Sequence, residues 1–180
     1  IHNLAMQTKC HTSKPCVPTN LAASGEATFA YENRAAGRQN GQQSKDVLLP
    51  SDNTVASFWI TNPDNTYRDN VAAGSDENGF WMSLPEHPNG AFEGTDQSKN
   101  TWPRSMKIRE FKGNVAHSNY DGFMMDRNIA ANNTFGVTGN MHIARENPAD
   151  IRSRIVETVF EDMTAYKNRK IGRASCRERV

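Results

Sequence analysis

Length, composition and charge exclude several classes of protein before any motif is considered. The chain has 180 residues, of which 36% are hydrophobic, and its formal net charge is +1. This polarity argues against a compact α/β enzyme, while clusters of apolar residues argue against disorder. Three of the 21 basic and one of the 20 acidic residues lie in the last ten positions, so the remainder carries a net charge of −1. A basic surface for nucleic acid or an anionic membrane is therefore not expected.

The N-terminal part of the chain reads as a short strand fragment followed by a long polar loop. Asn3-Leu4-Ala5 is a piece of a pattern that returns later, and residues 10–50 are rich in Gln and Asn. Cys10 and Cys16 lie in this loop. A disulfide between them fits an exported protein, and two free thiols are the alternative. Their spacing is not that of a CxxC zinc or redox site.

Short apolar runs predict strands along the rest of the chain. Turn residues such as Asn, Asp, Gly and Pro separate these runs, and each has the length of a short strand. None shows the 3.6-residue period of an amphipathic helix. Residues 85–103 and 128–154 are polar and are expected to be loops. The predicted strands are Ala56–Thr61, Gly79–Leu84, Met106–Arg109, Gly122–Met125 and Val156–Phe160.

An internal repeat is the strongest signal in the sequence. Tyr67–Ser75 and Phe111–Asn119 begin with the same pattern, which is an aromatic residue, two polar residues, Asn, Val and Ala. The copies lie 44 residues apart at the asparagine and 43 residues apart at a following glycine. Phe160–Asn168 is a weaker third copy. Periods of this size are typical of solenoids, propellers and arrays.

A parallel β-helix gives each repeated position a physical reason, so we predict that residues 1–170 form part of one. The small Val and Ala residues suit an inward face where coils stack closely. Asn70 and Asn114 suit equivalent bends, because Asn tolerates unusual dihedrals, and their amides can form a ladder. Gly79 and Gly122 are expected to open the next strand after a tight turn. The long loops are expected to leave from one face.

The last ten residues are expected to be foreign to the protein. The string at 171–180, IGRASCRERV, resembles the translation of a common sequencing adapter. We therefore treat 171–180 as an artefact tail and expect the natural chain to continue beyond about Lys170. A natural basic tail is the alternative.

Two long strings resemble the β-helix region of a known family. One is Ser57–Asn65 with Asn70–Ser75, and the other is Asn114–Asn119 with Gly122–Asp126. They are similar to the family of the cell-migration-inducing hyaluronan-binding protein and transmembrane protein 2, and more distantly to fibrocystin-L. The resemblance implies an all-β, right-handed, single-stranded parallel β-helix with long inserted loops. It also implies an incomplete fragment of a secreted or cell-surface parent, whose upstream and downstream domains are missing.

The resemblance implies a polysaccharide as the partner. Some relatives bind or depolymerise hyaluronan, and calcium dependence is associated with that activity. We therefore expect an extracellular carbohydrate-active β-helix that binds a hyaluronan-like glycosaminoglycan, with calcium as the implied cofactor. Depolymerisation would make it a hyaluronidase-like glycoside hydrolase. A non-catalytic adhesion or receptor segment acting as a rigid spacer is the alternative, and a lyase or epimerase acting on uronate polymers is a third.

Two residues are the catalytic candidates. Cleavage of an acidic polysaccharide needs an acid/base pair beside the glycosidic bond. His117 is the acid/base candidate, and Asp126 could face the same groove. A turn histidine that hydrogen-bonds between coils is the alternative for His117. An exposed carboxylate beside Arg127 is the alternative for Asp126.

Substrate binding is assigned to cations and to one aromatic ring. Arg68, Arg104 and Arg127 could bind uronate carboxylates, although solubility of the surface explains them equally well. Trp102 lies at a loop end and could stack on a sugar ring, whereas most strand aromatics pack in a core.

A cluster of oxygen donors supplies the metal candidates. Asp64 and Asp69 lie near Asn62 and Asn65, and calcium accepts such ligands. The spacing is not that of an EF-hand. Capping of turns by Asn and Asp is the alternative.

Overall fold

Short strands make up most of the regular secondary structure. The computed structural model describes residues 1–9, 55–88, 92–125, 128–129, 135–136 and 142–169, and only the backbone of 128–129 and 135–136. The strands are β1 (Leu4–Met6), β2 (Ala56–Ile60), β3 (Thr66–Arg68), β4 (Val71–Ala73), β5 (Asn78–Met82), β6 (Glu110–Lys112), β7 (Val115–His117), β8 (Asp121–Met125), β9 (Asn128–Ile129), β10 (Phe135–Gly136) and β11 (Thr164–Tyr166).

Successive repeats stack in register into parallel sheets. The alanine sheet has the order β1-β4-β7-β11, the aromatic sheet β2-β5-β8 and the charged sheet β3-β6, while β9 and β10 form an antiparallel pair. Strands β3, β4 and β5 pair with β6, β7 and β8 in turn. Ala5 pairs with Ala72, and Ala165 pairs with Ala116, so both weaker copies align as predicted. An all-β fold of parallel stacked strands is confirmed.

Side chains that point inward from the three sheets form one hydrophobic core. Ala72 and Ala116 are fully buried, and their small side chains leave room for the rings of the facing sheets. The Phe111 ring lies at the centre, 5.4 Å from Phe80, 5.6 Å from Phe123 and 5.3 Å from Phe160, each edge to face. Edge-to-face pairs at these separations stabilise a core beyond the area they bury.

A buried ladder of asparagine amides links three repeats, as predicted. The Asn3 backbone N and Nδ2 donate to Oδ1 of Asn70 at 3.1 and 3.0 Å. The Asn70 backbone N and Nδ2 donate to Oδ1 of Asn114 at 3.0 and 2.9 Å. Asn114 Nδ2 donates to the Tyr67 carbonyl at 2.8 Å. The ladder ends there because Met163 occupies the next position.

The unusual dihedrals lie one residue before the ladder asparagines, so that part of the prediction is wrong. The ladder amides occupy the interior, and the preceding residue makes the bend. A second set of bends follows each strand of the alanine sheet. Positive φ values occur before the ladder at His2, Asp69, Gly113 and Asp162, and after the strand at Gln7, Gly74, Ser118 and Lys167.

A second amide ladder, not foreseen from the sequence, lies at this other end of the alanine sheet. Asn119 Oδ1 accepts from the Ser75 backbone N at 2.9 Å. Asn168 Oδ1 accepts from the backbone N and Nδ2 of Asn119 at 3.0 and 3.2 Å. The backbone just after each of these bends is thus held by the asparagine side chain of the repeat that follows.

Gly79 and Gly122 serve this second ladder and do not open a strand after a tight turn. Each is the second residue of its strand. A Cβ on Gly79 would lie 2.6 Å from the Gly122 carbonyl oxygen and 2.8 Å from Asn119 Nδ2, and one on Gly122 would lie 2.6 Å from Asn168 Nδ2. The equivalent position in β2 is Ser57, where the ladder residue is the shorter Ser75. Glycine is therefore required where an asparagine amide stacks against the strand.

One additional residue explains why the repeat offset falls from 44 to 43. Ser75 pairs with a residue 44 positions later, whereas Asn78 pairs with Asp121. Glu77 is the extra residue, and its carbonyl accepts from the backbone N of Tyr120 and of Asp121, both at 3.0 Å. At this corner, two residues of one repeat thus face one residue of the next, as in a β-bulge.

The long connections differ from the predicted loops. Residues 85–103 include helix α1 (Asp96–Lys99), whose N-cap Thr95 accepts from Ser98 N, and a 3-10 turn follows at Pro103–Ser105. Residues 106–109 and 156–160 form no strand, so both predicted strands are wrong. The connection after β1 leaves the alanine sheet, whereas those after β5 and β8 leave the aromatic sheet, so the loops do not share one face.

Several expectations fall outside the described residues. These are the cysteine pair in the first loop and the segment 171–180. Among the residues that the structure describes, no helix combines the length and apolarity needed to cross a membrane.

The segment that follows β10 packs back on the 3-10 turn through His142. The Arg104 carbonyl lies 2.9 Å from His142 Nδ1 and accepts from the Ile143 backbone N at 3.2 Å. Because a carbonyl only accepts, Nδ1 carries the proton, while Nε2 lies 3.2 Å from the Thr158 hydroxyl. Burial lowers the pKa of His142 and so favours the neutral ring, in which Nε2 accepts from that hydroxyl.

We expect Asn114→Ala to lower the free energy of unfolding by about 2–4 kcal/mol, because it leaves buried donors and acceptors of Asn70 and Tyr67 without partners. Asn3→Ala is the matched control at the exposed end of the same ladder and should cost about 1 kcal/mol or less. Urea denaturation of both variants measures the difference, and equal losses would contradict a ladder that stabilises the fold from its buried centre.

Gly122→Ala should cost about 1–3 kcal/mol, because the new methyl group overlaps the Asn168 amide. In an Asn168→Ser background the shorter side chain makes room, so the same substitution should cost much less. A double-mutant cycle from urea denaturation measures this coupling. Strictly additive losses would show that the amide does not set the requirement for glycine.

Acidification should weaken the contact made by His142. Its folded-state pKa lies below the unfolded value of about 6.5, so the unfolded chain binds the proton more readily. Stability from this group is fully present above pH 6.5 and is lost as the pH falls through the folded-state pKa. Denaturation midpoints between pH 7.5 and 5 should fall less steeply in His142→Gln than in the unmodified protein, and equal slopes would exclude this role.

Candidate functional site

The outward side chains of the alanine sheet form an exposed, largely apolar face. Because side chains alternate along a strand, the residues that flank each inward alanine point outward. Leu4, Met6 and Tyr166 are 61%, 57% and 46% exposed. We call this surface the lateral face. It consists of the column Leu4, Val71, Val115, Thr164 and the column Met6, Ala73, His117, Tyr166. The prediction that Val71 and Val115 point inward with the alanines is therefore wrong.

The predicted catalytic residue His117 lies on the lateral face and stacks on Tyr166. The two ring centroids are 5.0 Å apart and the planes differ by 19°. His117 Nδ1 lies 3.2 Å from the Ser118 hydroxyl. The pair presents two nearly parallel rings from adjacent strands. Asp126 and Arg127, the other predicted members of this site, lie outside the described residues.

Arg68 lies on the charged sheet, where it is paired. Its Nε and Nη2 donate to the two carboxylate oxygens of Glu110 at 2.9 and 2.7 Å, a bidentate pair. Beside it, Lys112 Nζ lies 2.8 Å from Glu161 Oε2. The hydrogen bond and charge of Glu161, with smaller effects of Asp162 and Glu110, raise the pKa of Lys112. A ligand carboxylate on Arg68 would have to displace Glu110.

Trp102 and Arg104 lie together in the connection between β5 and β6, away from the strands. The half-buried Trp102 ring is 5.3 Å from the ring of His87. The Arg104 backbone N donates to the Pro85 carbonyl at 3.0 Å, and its Nη1 lies 3.8 Å from a carboxylate oxygen of Glu86. These contacts hold the 3-10 turn in place.

The two predicted metal ligands occupy separate turns. Asp64 Oδ1 accepts from Arg109 Nε at 2.8 Å, and the Asp64 backbone N donates to Asn62 Oδ1 at 3.0 Å. Asp69 makes a left-handed bend, with Oδ2 3.8 Å from His2 Nε2. Calcium prefers six to eight oxygen ligands. In the described part of the chain no three His, Cys, Asp or Glu side chains could hold a metal ion, so these residues do not fit one.

The structure therefore places one predicted residue, His117, in contact with Tyr166, which sequence reasoning missed. Aligning the second and third copies of the repeat places Tyr166 opposite His117, so the alignment contained the signal. The other predicted residues that the structure describes each contact a different neighbour: Glu110 for Arg68, His87 for Trp102, Glu86 for Arg104, Arg109 for Asp64 and His2 for Asp69.

Comparison with known proteins agrees with this architecture. Mouse fibrocystin-L is 40% identical over 76 residues, which is 42% of this chain and 2% of the relative. The mouse cell migration-inducing and hyaluronan-binding protein is 30% identical over 128 residues, 67% of this chain and 9% of the relative. Human cell surface hyaluronidase CEMIP2 is 24% identical over 180 residues, 95% of this chain and 12% of the relative. The chain thus spans a small part of each.

A family model gives the assignment. The model described as the CEMIP beta-helix matches residues 1–124, well over half of the chain. These residues include all of the alanine and aromatic sheets except β11 and the last residue of β8. The chain belongs to the CEMIP beta-helix family.

Proposed function

We propose that this chain is part of an extracellular, right-handed parallel β-helix that binds a hyaluronan-like glycosaminoglycan on its lateral face. The observation that carries the proposal is the stack of His117 on Tyr166 on an exposed sheet face. Two relatives named as a hyaluronan-binding protein and a cell surface hyaluronidase support the choice of polymer.

The geometry of the lateral face suits an extended sugar chain. A pyranose ring has an apolar face of C–H groups that packs on an aromatic ring, and two parallel rings from adjacent strands offer a continuous platform. Adjacent strands lie about 4.8 Å apart, so the platform runs along the stacking direction of the repeats. The apolar Val71, Ala73 and Val115 continue this surface without charge.

The connections between the parallel strands support a right-handed solenoid. Crossovers between parallel strands of one sheet are right-handed in about 98% of cases, because of the twist of the strands. The strand sequence β3, β4, β5 returning to β6, β7, β8 is a series of such crossovers.

Depolymerisation of the bound chain is the enzymatic extension of this proposal. His117 would supply the acid or base, and a carboxylate such as Asp126 would have to lie near it. Arg68, Arg104 and Trp102 remain proposed substrate contacts outside the lateral face, and Arg127, which lies outside the described residues, remains a proposed contact. Calcium dependence is a separate proposal, since the described Asp64 and Asp69 do not form a site for the ion.

A rigid spacer is the second candidate function. The charged sheet favours it, because its outward cations are neutralised by carboxylates of the next repeat and offer little to a ligand. The two amide ladders would stiffen such a segment along its axis.

Titration of the full chain with hyaluronan oligosaccharides, followed by calorimetry, tests the proposal. Tyr166→Ala removes one ring of the platform and should weaken binding by about 1 kcal/mol, roughly five-fold. Phe92→Ala is the matched control, because Phe92 is also an exposed aromatic residue, at 57% against 46% for Tyr166, and lies in another segment. Its affinity should equal that of the unmodified protein.

The outcomes separate the candidate functions. Absence of binding by a folded, unmodified chain would overturn the proposal and favour the spacer. Equal affinities for Tyr166→Ala and Phe92→Ala would place binding elsewhere on the molecule. Polymer size followed in the same samples, with calcium or a chelator and with His117→Ala, reports cleavage and its dependence on the metal and on His117.

A further inference from the structure

The charges that flank β11 are distributed unevenly. Glu161 and Asp162 precede the strand, and Lys167 and Arg169 follow it, all four exposed. The strand itself carries Tyr166 on the lateral face. One end of β11 is therefore acidic and the other basic, with the aromatic ring nearer to the basic end.

The acidic end offers no surplus positive charge to a polyanion. Lys112, the cation nearest to it, is held by Glu161 at 2.8 Å, and the charges of Asp162 and Glu110 also act on it. Arg68 is in turn paired with Glu110. Three carboxylates thus surround two cations, so a polyanion approaching this edge would be repelled.

The basic end has the opposite character. Lys167 and Arg169 form no ion pair with any residue that the structure describes, whereas Lys9, Arg68, Arg109 and Lys112 each do. Their backbone is fixed, because the Arg169 N donates to the Asn119 carbonyl at 2.9 Å and Asn168 belongs to the second amide ladder. The same backbone bond to Asn119 places Arg169 beside the neighbouring repeat.

We infer that Lys167 and Arg169 bind a uronate carboxylate of the acidic polysaccharide whose sugar ring lies on Tyr166 and His117. This inference rests on the proposed function and names its charged subsite. A guanidinium can grip a carboxylate with two parallel N–H groups, while an ammonium adds a compact charge. The acidic residues at the other end of β11 then fix the side from which the polymer enters.

The test uses the full chain with two probes, hyaluronan oligosaccharides and the same oligosaccharides with their carboxylates reduced to alcohols. Lys167→Ala and Arg169→Ala should each weaken binding of hyaluronan about two- to five-fold, as expected for exposed charge pairs. Lys107→Ala is the matched control, since Lys107 is an exposed lysine outside the lateral face. The reduced probe should bind more weakly, and neither substitution should affect it further.

Contrary results are distinct from failure of the proposed function. Unchanged affinity of both variants, or equal binding of the two probes, would overturn this charged subsite. If Tyr166→Ala still weakens binding in that case, the proposed aromatic platform stands. Absence of hyaluronan binding by the unmodified chain would overturn both. Asp162→Asn offers an independent check, because removal of the repelling charge should raise affinity at low salt and not at high salt.

Discussion

The hydrogen bond from one asparagine amide to the next is the interaction on which the rest of the structure depends. A buried amide without partners would cost several kcal/mol, so Asn70 and Asn114 are tolerated inside the protein only because each repeat satisfies its neighbour. The same bonds fix the bend before each strand of the alanine sheet. Since the second ladder fixes the bend after it, the three residues between the two anchored points must point outward, inward and outward again. His117 and Tyr166 face outward together for this reason.

The sequence predicts the stacked part of this fold well, because a repeat reports contacts between equivalent residues. Asn70 and Asn114 share a position, and amides at a shared position of stacked repeats lie within hydrogen-bonding distance of each other. The bends were harder to place. The residue that makes the bend differs among repeats, being Asp69 in one and Gly113 in another, so no single residue type identifies the bend. Gly79 carries no signal of its own function either, because its neighbour in space, Asn119, belongs to the next repeat.

The candidate site follows a different logic from the core. His117 was singled out for its chemistry, and its placement opposite Tyr166 depends on the register of β7 and β11. Arginine and aspartate residues chosen by type proved to be committed to partners such as Glu110 and Arg109, which sequence separation of about 40 residues conceals. Charge alone is therefore a poor guide to candidate ligand contacts in this protein. Whether a cationic side chain is already paired with a carboxylate is a better criterion.

The bulge at Glu77 has a consequence for how such chains change during evolution. It confines a difference in repeat length to one corner, so that the alanine sheet on one side and the aromatic sheet on the other keep their pairing. Insertions and deletions at that corner are thereby uncoupled from the surface that faces outward. Duplicated repeats could then diverge in length while conserving the lateral face, and a designer could add repeats by matching the ladders and ignoring the corner.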